Sequence, residues 1–171
     1  VGIFNLLENK KNQKAYFATE YVLIDGPFES PQNFKRINLF GKYTGVLSDK
    51  SKLSIIGSHF SSKWDASGQI PQRLVDNGTI SRFDSVDDTE GGNTSRSNFN
   101  LGYTKPIDEN TFIKSNVFYS NYQFELYSNF TFFLEDPING DQIRQKENRN
   151  IYGLNSEINK GTTMQVSYRK T

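Results

Sequence analysis

Few residues in this chain have the side chains for covalent chemistry. His59 is the only histidine, and Ser58, Ser61 and Ser62 stand close to it in a strand-like segment. A Ser–His–Asp relay needs three groups converging in space, which proximity in sequence does not supply. The nucleophile-elbow GxSxG, the phosphate-binding P-loop and the zinc-binding HExxH are all missing. The chain has 19 acidic residues, too dispersed to single out the carboxylate pair of a glycoside hydrolase. An enzyme is therefore not expected, and His59 is expected to line a lumen or an interface.

Binding chemistry is better represented. Asp84, Asp87, Asp88 and Glu90 precede Gly91 and Gly92. Hard oxygen ligands on a glycine-containing loop suit calcium. Their spacing departs from the EF-hand pattern, so a solvated acidic loop is the expected reading and calcium the alternative. No metal or other cofactor is expected. The sequons at Asn77, Asn93 and Asn129 are ascribed to chance in a chain rich in Asn and Thr. Trp64, Arg73, Arg82, Phe83, Arg96 and Arg144 fall in stretches assigned to loops. Their large or bidentate side chains make them the candidate ligand contacts, with the arginines suited to an anionic ligand. Tyr119, Tyr122, Phe124, Tyr127, Phe130, Phe132 and Phe133 crowd one segment, as an interfacial aromatic girdle or extramembrane packing would, with a platform that stacks sugars or ligand rings as the alternative.

The elements that must position these residues are strands. Hydrophobic residues make up 35% of the 171, low for a globular domain, whereas aromatics reach 14%. That mixture suits sheets with one apolar and one wet face. A net charge of +1 gives no electrostatic case for nucleic acid. No cysteine is present, which removes disulfides and thiolate metal sites. No apolar run reaches the ~20 residues of a membrane-spanning helix, a test to which β-barrels are blind. The chain starts VGIF without Met and ends VSYRKT within strand-like alternation, so it is expected to be a piece of a longer polypeptide.

Period-two patterning marks seven segments, at about 14–24, 34–47, 52–64, 96–105, 111–134, 149–158 and from Thr162 onward. The first dozen residues are ambiguous, and no amphipathic helix is evident. Ala15, Phe17, Thr19, Tyr21 and Leu23 share a phase. Ile37, Leu39, Gly41 and Tyr43 oppose Arg36, Asn38 and Lys42, and Phe99, Leu101 and Tyr103 oppose Asn98, Asn100 and Gly102. The phase of 52–64 is unclear. In 111–134 the apolar phase changes from Ile113, Val117 and Tyr119 to Phe124, Leu126, Phe130 and Phe132, which predicts a bulge or twist near Asn121.

Connections alternate in length. Residues 25–33, the stretch from Trp64 to Asn98 and residues 135–148 are long; 48–51, 106–110 and 159–161 are short. In an antiparallel meander this puts every long loop at one end, as in outer-membrane barrels. Asn139-Gly140 and Gly26-Pro27 mark turns within the long loops. The expected fold is all-β, an antiparallel up-and-down transmembrane β-barrel present in part. Arg36, Asn38, Lys42, Asn98 and Asn100 are assigned to its lumen. The alternative is a soluble β-sandwich binding module, for example one that binds carbohydrate.

The runs DGPFESPQNFKRINLFGKYTG, SSKWDASGQIPQRLVDNGTISRFDSVDDTEGGNTSR and LYSNFTFFLEDPINGDQIRQKENR resemble barrel segments of TonB-dependent outer-membrane receptors. The resemblance covers about 14–171. It implies about seven strands of a 22-stranded barrel, so that residues 1–171 form part of the barrel domain, without the plug domain or the TonB box. It further implies capture of a scarce nutrient, such as an iron chelate or cobalamin, at extracellular loops, and import driven by energy that TonB transmits. The implied partners are outer-membrane lipid, the plug domain of the same polypeptide, the TonB complex through the missing N-terminal region, and a small nutrient ligand. The implied location is the outer membrane of a Gram-negative bacterium.

Overall fold

A computed structural model describes residues 1–7, 12–130, 134–138 and 140–161. Seven strands form one antiparallel sheet whose spatial order follows the chain. They are β1 (Gly2–Asn5), β2 (Gln13–Ile24), β3 (Phe34–Val46), β4 (Lys52–Asp65), β5 (Gly91–Pro106), β6 (Thr111–Ser128) and β7 (Ile143–Lys160). The sheet is an open up-and-down meander, not a closed barrel, with β1 and β7 as its edges. The connections β2–β3, β4–β5 and β6–β7 lie at one end, and β3–β4 and β5–β6 make tight turns at the other. In both tight turns an aspartate accepts a backbone N–H two residues on, from Ser51 to Asp49 and from Asn110 to Asp108. These bonds hold the two carboxyls below the usual carboxylate range.

Six of the seven expected segments are strands. The seventh, from Thr162 onward, lies outside the described residues, as do Phe132, Phe133 and Asn139. The seventh strand of the sheet is instead β1, in the ambiguous first dozen residues, paired with the middle of β2. Three expectations are corrected. First, β5 and β7 begin earlier than the hydropathy pattern, at Gly91 and Ile143, because Asn, Ser, Thr, Gln and charged residues continue the backbone ladder without alternating in polarity. Second, no bulge interrupts β6: its register to both neighbours runs unbroken through Asn121. The apolar side chains change sides there while the backbone stays regular. Third, the long β4–β5 loop contains a short helix, α1 (Gln72–Asp76), entered through Pro71 and too brief to show a 3.6-residue period.

Directly opposed residues share a face, so the registers assign every strand side chain to one of two faces. The first face gathers the apolar alternates: Phe17 and Tyr21 in β2, Leu39 and Tyr43 in β3, Leu53 and Ile55 in β4, Phe99 and Leu101 in β5, Val117 and Tyr119 in β6, Tyr152 and Leu154 in β7. From the row of Leu53, Tyr103 and Ser115 up to the row of Tyr21, Ile37, Ser61 and Gln123, this face carries no Asp, Glu, Lys or Arg. The opposite face carries Lys14, Glu20, Lys42, Arg96 and Arg149 over the same height, with Arg36 just above it. Arg36, Asn38, Lys42, Asn98 and Asn100 do share that face. The phase of β4 was illegible because Ile55 and Ile56 point to opposite faces and Phe60 stands on the charged one.

The charged face is the hollow one. A cleft of about 780 Å3 opens on it at the tight-turn end. Lys14, Thr44, Ser54, Gly102, Asn116 and Asn155 line it, one from each of β2 to β7. One cleft bordered by six strands requires a sheet curled around it.

Gly91 and Gly92 tie the long loop to the sheet. Gly91 has φ of +146°, and a Cβ there would meet the Trp64 carbonyl oxygen at 2.5 Å. A Cβ at Gly92 would meet the Glu125 carbonyl oxygen at 2.5 Å and the Trp64 ring at 3.0 Å. Both clashes involve backbone atoms that cannot swing away. Gly57, by contrast, has nothing within 4 Å of its missing Cβ. Gly91→Ala and Gly92→Ala should each cost ~1–3 kcal/mol, whereas Gly57→Ala should stay within ~0.5 kcal/mol. Urea unfolding of the three variants of the full-length protein checks this; equal losses would contradict it.

Candidate functional site

The three long loops do not hang separately; they interlock. Glu29 N–H donates to the Phe83 carbonyl at 2.9 Å, the Ser81 hydroxyl donates to Glu29, and Phe28 packs on Phe83 at 6.4 Å between ring centroids. The Ser30 hydroxyl donates to Asp88 at 2.7 Å. These contacts join the β2–β3 loop to the β4–β5 loop. Asn129, 2% exposed just beyond β6, joins the β4–β5 loop to the β6–β7 loop. Its backbone N–H donates to Glu90 Oε1 at 2.8 Å, and its side-chain Nδ2 donates to Asp87 Oδ2 at 3.2 Å. Gln142 adds a bond to the Thr89 hydroxyl at 2.6 Å. The result is one rim with a common polar junction.

The acidic run is thereby accounted for residue by residue. Asp87 accepts the Thr89 N–H and hydroxyl on one oxygen and Asn129 on the other. Asp88 accepts Ser30, Asp84 accepts the Ser85 N–H, and Glu90 accepts Asn129. Among the described residues no three His, Cys, Asp or Glu side chains converge as a metal would need. The four calcium candidates instead face different partners. Gly68, in the left-handed region at φ +64°, leaves the room that the Glu90 carboxylate occupies. Burial raises the Glu90 carboxyl above the usual range, and the charge of Asp87 adds to that; the Asn129 N–H opposes both. Burial pushes Asp87 the same way, but its hydrogen bonds, from Thr89 above all, outweigh that and hold it below the usual range.

The six candidate ligand contacts do not form one cluster. Arg73, on α1, and Arg82 are exposed on the β4–β5 loop, and Phe83 is 51% exposed where it meets Phe28. Trp64, Arg96 and Arg144 are strand residues and not loop residues: Trp64 and Arg96 sit at the ends of the patterned parts of β4 and β5, and Arg144 lies where β7 extends beyond its hydropathy pattern. Trp64 covers Gly92. Arg96 lies on the charged face with its guanidinium 4.9 Å from the centre of the Tyr122 ring, and Tyr122 stacks on Phe124. Arg144 lies on the other face, where Nε donates to Glu125 at 2.7 Å and the guanidinium sits over Tyr127.

His59 stands on the apolar face, at the level of Leu39 and Ser97, and its Nδ1 is 2.9 Å from the Ser97 hydroxyl. Ser58 and Ser62 point to the opposite face. The charge-free stretch around His59 contains no carboxylate to complete a relay. Sequence reading missed Asn129 as a junction residue. Its only signal in the sequence is an Asn closing an aromatic segment, within a sequon that chance explains. Of the aromatic cluster, Tyr122 and Phe124 lie on the charged face, Tyr119 and Tyr127 on the other, and Phe130 is 62% exposed beyond β6.

The junction should respond to pH in two directions. The depressed Asp87 carboxyl contributes stability present above its unfolded value and lost as pH falls through its folded one. The raised Glu90 carboxyl contributes stability present below its unfolded value and lost as pH rises through its folded one. Protection of the amides in residues 66–90, taken as the exchange rate relative to the intrinsic rate at each pH, should be greatest at about pH 4–4.5, between the two effects. Glu90→Gln should remove the loss of protection on the alkaline side, and Asn129→Ala should lower protection throughout; protection factors independent of pH in the parent protein would contradict the assignment. No protein-family model, no curated protein and no solved structure matches this chain.

Proposed function

We propose that the chain is a wall segment of an outer-membrane β-barrel transporter of the TonB-dependent kind. In this reading it contributes strands to the barrel and three loops to its outer mouth. The observation that carries the membrane part is the sorting of charge: the interior of one sheet face has none, and the other face has charges at three of the four levels over that height. Among the described residues no hydrophobic side chain is buried, so the apolar face has no layer of its own chain upon it. Lipid is the cover this reading supplies.

Two further features support it. The apolar run of β2, from Ala15 to Leu23, is close to the ~9–11 residues that a tilted strand needs to cross hydrocarbon. The apolar zone also slants across the sheet. It reaches Leu23 in β2 and Ile37 in β3, but stops at Phe99, Tyr119 and Tyr152 in β5 to β7, and descends to Ile113 and Ile158 at the other end. A band level with a membrane must cross tilted strands at such a slant. Open edges are not tolerated in lipid, so the reading requires further strands beyond β1 and β7.

The transport function rests on the family resemblance. The interlocked loops would form part of the rim that captures a nutrient such as an iron chelate or cobalamin, with Arg73, Arg82 and Phe83 among its exposed large side chains. TonB-transmitted energy would then release the nutrient inward through the plug.

The full-length product should fractionate with the outer membrane and run as a heat-modifiable monomer. Leu101→Arg, in the middle of the apolar zone, should cost ~2–4 kcal/mol and impair assembly, whereas Asn100→Arg should stay within ~0.5 kcal/mol. A water-soluble monomer indifferent to both would overturn the reading and favour a soluble β-sheet binding module.

A further inference from the structure

The upper end of the charge-free face is closed by a row of residues on β2 to β7: Leu23, Lys35, Lys63, Asn93, Glu125 and Lys146. The two sides of this row differ. Lys146 stands directly opposite Glu125, and Arg144 one step above it is ion-paired with the same carboxylate. Lys35 and Lys63 stand directly opposite each other. Like charges in that position repel. Neither lysine has an ion pair or a side-chain hydrogen bond among the described residues, and both are exposed. The nearest acid on the same face of β4, Asp65, accepts a hydrogen bond from Asn33 at 2.8 Å and makes no ion pair with Lys63. Directly below and beside the pair lie Ile37, Tyr21 and Leu23, the last two 61% and 58% exposed.

We propose that Lys35 and Lys63 bind the phosphate of an anionic lipid headgroup in the leaflet on the long-loop side. The inference rests on the membrane reading above and adds a specific lipid contact to it. The chemistry follows from the arrangement. Two lysines standing directly opposite each other on neighbouring strands bring like charges to one place, and an anion between them relieves the repulsion. Their alkyl stems run along the top of an apolar surface, the position from which lysine reaches a headgroup while its stem stays in contact with acyl chains. Tyr21 adds an aromatic side chain at the same level, as interfacial belts do. A soluble phosphate would satisfy the charges and leave Tyr21, Leu23 and Ile37 uncovered; a lipid covers both.

The test uses the full-length protein in nanodiscs of phosphatidylcholine, with phosphatidylglycerol titrated in and bound lipid counted by native mass spectrometry. The parent protein should retain phosphatidylglycerol over phosphatidylcholine. The double variant Lys35→Gln/Lys63→Gln should lose roughly thirtyfold of that preference, the size expected of two lysines at an anionic surface. Lys42→Gln, on the opposite face, should keep it. Heat-modifiable mobility of each variant reports that it is still folded. An undiminished preference in the folded double variant, or no preference in an inserted parent protein, would overturn this inference and leave the membrane reading standing. A parent protein that does not enter nanodiscs at all would overturn the membrane reading as well.

Discussion

The sheet has no core. Nothing in its described residues covers the apolar face, where Tyr152 and Leu154 are 79% and 73% exposed and Val117 and Phe99 more than 40%. A large apolar side chain gains ~1.5–3 kcal/mol on full burial, so a face of this size left in water forfeits most of what normally drives folding. The other features follow from this constraint. Charges are excluded from the middle of that face and placed on the hollow one. The strands are long, regular and hydrogen-bonded along their length, and their stability comes from the ladder and from whatever lies against the face.

Polar side chains do the remaining work on the hollow face. Arg36 and Asn38 both donate to Glu20, and the Ser58, Asn98 and Ser120 side chains form a chain across three strands. Such contacts are individually worth little at a wet surface, but they fix side chains that would otherwise repel or wander. At the rim the logic differs. Asp87 and Glu90 on one loop and Asn129 on another, far apart in sequence, are drawn together by folding. Their opposite carboxyl shifts arise because one acid collects several hydrogen bonds and the other has few to offset its burial. The acidic run is thus a structural junction, and the exposed loop arginines are left available to solvent.

Much of the architecture was legible in the sequence, for a physical reason. Alternation such as Ile37-Asn38-Leu39 or Phe99-Asn100-Leu101 records a two-sided environment directly, and loop length records which end of the sheet a connection occupies. Illegibility has equally physical causes. The extensions of β5 and β7 are polar on both sides, as in Asn93 to Ser97 and Arg144 to Asn148, so period-two reading stops where the environment ceases to differ between faces although the backbone ladder continues. The exchange of apolar phase in β6 marks a change of surroundings along an unbroken strand and not a bulge. The rim junction was invisible because Asn129 meets Glu90 and Asp87 only through tertiary folding. The candidate arginines and Trp64 were chosen by side-chain type, and type alone does not tell a loop from the end of a strand or one face from the other.

The membrane proposal places the charge-free face against hydrocarbon. The chain contains no cysteine, so a single cysteine can carry a fluorescent label at neighbouring positions of β5 in the full-length protein. With Leu101→Cys and Asn100→Cys variants reconstituted in bilayers, acyl-chain spin-labelled lipid should quench the label at 101 strongly and the label at 100 weakly, and aqueous iodide should do the reverse. Equal quenching of the two labels by iodide, with none from the lipid probe, would contradict the account.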